Sequence, residues 1–183
     1  AVGLPAVAGL PRFRRAGAAG TVRVGDELAS AVSGRRSRVR SLQVGDRDVS
    51  SAREGQSILL TLTDEIDVSR GDVLTSGAAP LVSDQLAAHL VWFDDNAMVP
   101  GRRYALKCGG STTGAVISTL KHRLAIDTME HHAATTLGAN EIGYVNLSLD
   151  RPLVCEAYRE NRDLGSFILI DPLSHRTAAA GMI

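Results

Sequence analysis

The 183 residues suffice for one domain of ordinary size or two small ones, and 44% hydrophobic with 22% charged residues is the balance of a soluble globular chain. Twenty basic and twenty acidic side chains leave a formal net charge of zero, so no global field draws the chain to nucleic acid or an anionic membrane. No apolar run approaches the roughly 20 residues that cross a bilayer, and two cysteines, Cys108 and Cys155, exclude a disulfide-dense scaffold and fit a reducing cytosol.

The chain opens on AVGLPAVAGLPRFRR, mildly apolar, with its charges after the apolar part; that order is wrong for a signal peptide, and two prolines interrupt any helix. Strand and turn signals follow. Val22 and Val24 precede a Gly25-Asp26 turn, and Val39, Leu42 and Val44 precede a second at Gly45-Asp46; each dipeptide accepts positive φ, the usual hairpin punctuation. GQSILLTLTDE, from Gly55 to Glu65, is a strand with apolar residues on both faces around Leu60, and Val73-Leu74 follows a Gly71-Asp72 turn. Short strands joined in this way predict a meander that closes into a barrel, since closure removes exposed edges. TSGAAPLVSDQ, from Thr75 to Gln85, is a composition break. Beyond it QLAAHLVWF, RRYALKC, GAVISTL, YVNLSLDRPLVCEAY and SFILI read as further strands, with Val145, Leu147 and Leu149 alternating against Asn146 and Ser148. DTMEHHAATTLGANE is the one stretch that could carry a short helix, ended by Gly138. The expectation is an all-β protein of two tandem small antiparallel β-barrels, residues 1–79 with an atypical N-terminal strand and residues 80–183.

This order of elements resembles the second and third domains of translation-factor GTPases such as elongation factor Tu. The first barrel of that superfamily carries G-x-V-R-V-G-D-x-L, a basic strand, G-Q-x-I-x-L-x-L and D-I/V-x-R-G-D-V-L, matched at Gly20 to Leu28, Arg36 to Leu42, Gly55 to Leu62 and Asp67 to Leu74. The second ends in G-x-F-I-L-x-D and T-x-A-x-G, matched at Gly165 to Asp171 and Thr177 to Gly181. DEIDVSRGDVL, AHLVWFDD with its His89-x-x-Trp92 spacing, PGRRYALKCG and GANEIGYVNLSLDRPLVCEAY narrow the resemblance to the GTP-binding large subunit of bacterial sulfate adenylyltransferase, over residues 17 to 183. Two departures stand out. AVGLPAVAGLPRFRRAG replaces an entry strand like R-F-P-V-Q-x-V, so the first barrel either lacks a strand or uses its N-terminal residues differently, and Leu164 stands where the family has threonine.

The resemblance implies a cytoplasmic, non-catalytic barrel region of a GTPase subunit, coupling GTP hydrolysis to the formation of adenylyl sulfate and pyrophosphate from ATP and sulfate. Its implied partners are the GTPase domain of the same subunit, the smaller catalytic subunit and, in some bacteria, a fused adenylyl-sulfate kinase; Ile183 then falls at a domain edge. GTP and magnesium belong on the GTPase domain. The chain has no G-x-x-x-x-G-K-[ST] loop and no asparagine-lysine-x-aspartate segment, so no cofactor, catalytic residue or metal ligand is expected on it.

Arg36, Arg38 and Arg40 alternate along one strand beside Arg35, which reads as a solvated face or as a patch for an acidic partner or RNA; the absence of interleaved aromatics reads against RNA. The alternative function is a translation-factor-like fragment that binds the acceptor end of aminoacyl-tRNA. Trp92, Tyr104 and Phe167, with the 164–183 hairpin, are expected at contacts with another domain or partner, because their apolar runs exceed one barrel face. The small residues of that hairpin suggest close approach of a neighbouring backbone. His122, His131, His132 and Cys108 lack metal-ligand spacing and read as loop histidines. Cys155 reads as a core thiol, and Asp64, Glu65 and Asp67 as an acidic turn without an apolar pocket.

Overall fold

The computed structural model describes residues 12–16, 20–69, 71–77 and 80–183. The apolar start, residues 1–11, and residues 78–79 of the composition break lie outside them. The chain divides into two compact units, Ala1–Ser69 with Val73–Ala79, and Arg70–Asp72 with Pro80–Ile183.

In the first unit the strands are β1 (Arg12–Ala16), β2 (Thr21–Arg23), β3 (Glu27–Ser30), β4 (Arg36–Val44), β5 (Arg47–Val49), β6 (Ser51–Arg53), β7 (Ser57–Leu62) and β8 (Leu74–Thr75). They form a six-stranded antiparallel sheet of order β1-β7-β4-β3-β8, with β5 on β4, and a two-stranded ribbon of β2 and β6. Two-residue alternation explains β7 and β4 as far as Val39, where an outward bulge resets the face for Leu42; Val39, Leu42, Ile58, Leu60 and Leu62 face a shared core with Leu28, Ala52 and Ile66. The atypical N-terminal residues do supply a strand, since β1 pairs with β7 from Arg12↔Thr61 to Ala16↔Ser57. The two glycine-aspartate turns differ in use. Gly45 turns β4 directly into β5, closing a hairpin at Val44↔Arg47. Gly25 instead makes a corner between sheets, because β2 pairs with β6 while β3 pairs with β4. A turn dipeptide fixes the local bend; its flanks are paired by distant residues.

In the second unit β9 (Leu81–Trp92), β10 (Arg103–Cys108), β11 (Ser111–Leu124), β12 (His131–His132), β13 (Ile142–Cys155), a single helical turn α1 (Arg162–Gly165), β14 (Ser166–Ile170) and β15 (Thr177–Met182) follow in order. The path β10-β14-β15-β9-β13-β11 returns to β10, so six antiparallel strands close into a barrel, with β12 attached outside on β11. Inward residues of every strand fill one core, including Leu90, Leu106, Ile117, Leu147 and Leu169, each essentially inaccessible.

Two sequence expectations differ from the structure. The stretch from Asp127 to Glu141 contains no helix: His131 and His132 pair back onto β11, and Leu137 bridges Met98, both side chains fully buried. The helical turn occurs instead at Arg162–Gly165, where the Asn161 side chain accepts from the amides of Asp163 (3.1 Å) and Leu164 (3.2 Å). The β14–β15 hairpin is confirmed in place, but what crowds Gly181 is a side chain rather than a backbone. Phe167 faces Gly181, and a Cβ there would overlap the Phe167 ring.

Candidate functional site

Along β4 the alternation turns Ser37 and Val39 inward and leaves Arg36, Arg38 and Arg40 exposed. Arg36 pairs with Glu27 at 2.9 Å, and Arg38 lies across from that same glutamate in the strand register. Arg40 falls where the β4–β7 register shifts, between Val39 and Ser41, so an extra residue bulges outward at the arginine. Among the described residues neither Arg38 nor Arg40 has an ion-pair partner. Below the row, Ser37 Oγ donates to Asp64 Oδ2 at 2.8 Å and Thr63 Oγ1 donates to it at 2.9 Å, and these bonds hold the Asp64 carboxyl below its ordinary range. Residues 20–77 contain no aromatic side chain, so the row has no platform on which unpaired bases could stack.

The second unit places Trp92, Tyr104 and Phe167 differently from the expectation. All three are interior side chains of the barrel's own core, 1–3% accessible, and so cannot present themselves to another body. The Trp92 and Tyr104 rings meet edge to face, 5.7 Å between centroids. The misleading signal was the unbroken Leu90-Val91-Trp92-Phe93 run. Leu90 and Trp92 point inward, Val91 is half-buried, and the strand has already ended when Phe93 turns out to solvent, 47% exposed.

Phe93 instead opens a surface groove of about 260 Å³ between the loop after β9 and the turn after β14. Asp171 organises that turn. Its Oδ1 accepts from the amides of Leu173 (2.8 Å) and Ser174 (3.0 Å), and its Oδ2 accepts from the Arg102 guanidinium. The turn is closed again by backbone bonds from Asp171 to Arg176 and from His175 to Asp171, each 2.9 Å. The backbone amides of Ser174 and Leu173, then Arg102, hold the Asp171 carboxyl below its ordinary value. On the facing loop Asp94 Oδ1 accepts from the Asn96 amide at 2.8 Å, and the Trp92 indole donates to the Asn96 carbonyl at 2.8 Å. Asp95 and Arg176 reach the groove without ion-pair partners among the described residues, and Leu173 stands 86% exposed at its rim. A shallow groove of this volume, with charges of both signs and two apolar prominences, suits a protein segment better than an enclosed small molecule.

One consequence is measurable in the turn itself. A depressed carboxyl pKa contributes stability that is present above the ordinary value of 3.8 and is lost as pH falls through the folded value. Amide exchange at Leu173 and Ser174, corrected for its intrinsic rate, is therefore expected to gain speed in acid. In Asp171→Asn the amide oxygen still accepts both backbone bonds, but the NH2 faces Arg102, and the acid dependence disappears. Unchanged acid sensitivity in the variant would remove Asp171 from this role.

The histidines do not assemble with Cys108. That thiol is buried beside the carbonyl of Leu164, 3.6 Å away. His122 and His131 lie ring on ring, 3.9 Å between centroids and 13° from parallel, which turns their ring nitrogens away from a shared ion. Among the described residues no three His, Cys, Asp or Glu side chains form a metal-binding group. His131 and His132 are strand residues rather than loop residues. Cys155 is fully buried, and burial, then Glu156, raises its thiol pKa, the opposite of what a nucleophile needs. Positive-φ glycines at 25, 45, 55 and 101 sit in turns, and the one helical segment among the described residues has four residues, so they do not fit a phosphate-cradling loop. No helix of the described residues is long and apolar enough to cross a membrane.

Comparison with known proteins is consistent with this geometry. Residues 85–183 match the family described as GTP-eEF1A C-terminal domain-like. The chain is 46% identical over 167 residues to the bifunctional enzyme NodQ of Rhizobium tropici, covering 91% of this chain and 26% of that protein. It is 48% identical to the bifunctional enzyme CysN/CysC of Xylella fastidiosa, with 91% and 27% covered. Against sulfate adenylyltransferase subunit 1 of Laribacter hongkongensis it is 43% identical over 168 residues, with 91% and 35% covered. The chain thus spans about a quarter to a third of the length of these relatives. In fold it superposes on the crystal structure of sup35 complexed with GDP with a TM-score of 0.84 at 18% identity, covering 93% of this chain and 43% of that one.

Proposed function

The chain belongs to the GTP-eEF1A C-terminal domain-like family, and on that premise we propose that it is the non-catalytic β-barrel region of a sulfate adenylyltransferase large subunit. The observation that carries this reading is identity of 40–48% to NodQ, CysN/CysC and sulfate adenylyltransferase subunit 1 across nine-tenths of the chain. In this reading a GTPase domain of the same subunit holds GTP and magnesium, and a smaller subunit joins ATP and sulfate into adenylyl sulfate and pyrophosphate in the cytoplasm. Some such subunits continue into an adenylyl-sulfate kinase. The barrels transmit the nucleotide state of the GTPase domain to the catalytic subunit. Their own surfaces offer two contacts for that work: the unpaired Arg38 and Arg40, and the groove between Phe93 and Leu173.

The test is retention of the catalytic small subunit on the immobilised chain. Binding is expected, and reversing both Arg38 and Arg40 to glutamate is expected to weaken it about tenfold, roughly 1.4 kcal/mol, more at low salt than at high. Failure to retain the subunit, with salt-dependent retention of aminoacyl-tRNA instead, would favour the RNA-binding alternative.

A further inference from the structure

Outside that reading, a row of rings crosses one face of the second barrel. His89 on β9, Tyr144 on β13, His122 on β11 and His131 on β12 follow one another, with centroid distances of 4.9 Å, 5.5 Å and 3.9 Å. The row ends on the weakest element of the barrel. β12 is held to β11 by two residue pairs, Arg123↔His132 and Leu124↔His131, and the hairpin behind them is tied by the Ala125 amide on the Glu130 carbonyl at 2.9 Å and the Met129 amide on the Ala125 carbonyl at 2.8 Å. So few backbone contacts are marginal for a strand at the outside of a sheet. Across that short pairing the His131 ring stacks on His122.

We propose that this ring row is an acid-sensitive clasp, holding the 125–132 hairpin against the barrel while the facing histidines are neutral and releasing it when they are charged. Two parallel imidazoles at 3.9 Å stack well when neutral; protonated, they set two like charges face to face. Among the surrounding groups, His89 and Lys121 favour the neutral state of His122. From β9 comes His89; from β11 come Lys121, whose Nζ lies 5.6 Å from the Tyr144 ring centre, and Arg123, which is paired to Glu141; from β13 comes Tyr144. The acids of the hairpin are Asp127 in its turn and Glu130, which lies 3.9 Å from His132. Burial first, then His131, His89 and Lys121, lower the His122 pKa from its ordinary 6.5. A histidine with a lowered folded pKa contributes its full stability above the ordinary value and loses it as pH falls below that value. Release frees the outer edge of β11 at Arg123 and Leu124 and moves the exposed hairpin side chains Ile126 and Met129.

The experiment is NMR on the full chain. The imidazole resonance of His122 is expected to titrate below a solution histidine. Exchange at the Ala125 amide, corrected for its intrinsic rate, is expected to rise about tenfold between about pH 7.5 and about pH 5. His131→Phe keeps a ring on His122 but cannot be charged, and is expected to abolish that rise. Should the variant not fold, the unmodified chain decides alone. Equal corrected exchange at both pH values, or an undiminished rise in folded His131→Phe, would overturn the clasp.

Discussion

Trp92→Ala is expected to lower the stability of the second unit by about 3–5 kcal/mol, the range for emptying a large aromatic from a closed core. The indole is 1% accessible, meets Tyr104 edge to face and donates to the Asn96 carbonyl. Its backbone is equally committed: the amide donates to Glu141 at 3.0 Å and the carbonyl accepts from Asn140 at 2.7 Å. Truncation therefore leaves a cavity at the mouth of the barrel and frees the loop that walls the groove beside Phe93. Trp92→Phe should retain most of the packing and lose the Asn96 bond, costing about 1 kcal/mol beyond the smaller ring's lost contacts. Because the chain has one tryptophan, its fluorescence in the parent protein reports the second unit specifically, while far-UV circular dichroism follows the variants through urea. A midpoint unchanged by Trp92→Ala would contradict the interior placement, and weakened binding of a partner without loss of stability would restore the interface role the sequence suggested.

That misplacement shows what a linear pattern can carry. β13 was legible because it alternates with period two as far as Leu149, and its apolar set does face a core. The β14–β15 hairpin was legible because four apolar residues and an Asp-Pro break leave few alternatives. Patterns that depend on where an element ends were not. Phe93 lies one residue past the end of β9, and that single step separates a surface anchor from a buried strand residue. Pairings that depend on distant residues were also hidden. The Gly25-Asp26 turn has hairpin chemistry, yet joins strands of different sheets, because β6 and β4 claim its flanks. His89, His122, His131 and Tyr144 belong to four strands and form a row only after the ring of strands has closed. Asn161 was the exception that could have been found: Asn-Arg-Asp-Leu, a capping residue with an acid two positions on, is a helix-start signal.

Gly165→Ala is expected to be the most damaging single-methyl change in the second unit, by about 3 kcal/mol, although glycine-to-alanine exchange ordinarily favours a helical position. The reason is backbone crowding. A Cβ at Gly165 would lie 2.5 Å from the Tyr158 nitrogen and 2.9 Å from the Ala157 carbonyl carbon, atoms that cannot rotate away. Both neighbouring segments are tied in place: the Ile183 amide donates to the Gly165 carbonyl, the Tyr158 amide to Ile183, each at 2.9 Å, and the Glu156 amide to Leu164 at 3.2 Å. Relief requires moving the 156–158 segment away from α1, which would break the bonds that fasten Ile183. Gly138 supplies the control. Its added methyl would meet the Glu141 carboxyl group at 3.6–3.7 Å, ordinary contact, so Gly138→Ala should change stability by no more than about 0.5 kcal/mol. Urea unfolding followed by Trp92 fluorescence measures both variants alike. If Gly165→Ala and Gly138→Ala unfold at the same midpoint, the close packing of α1 on the Ala157–Tyr158 backbone is wrong, and with it the way the last strand is anchored.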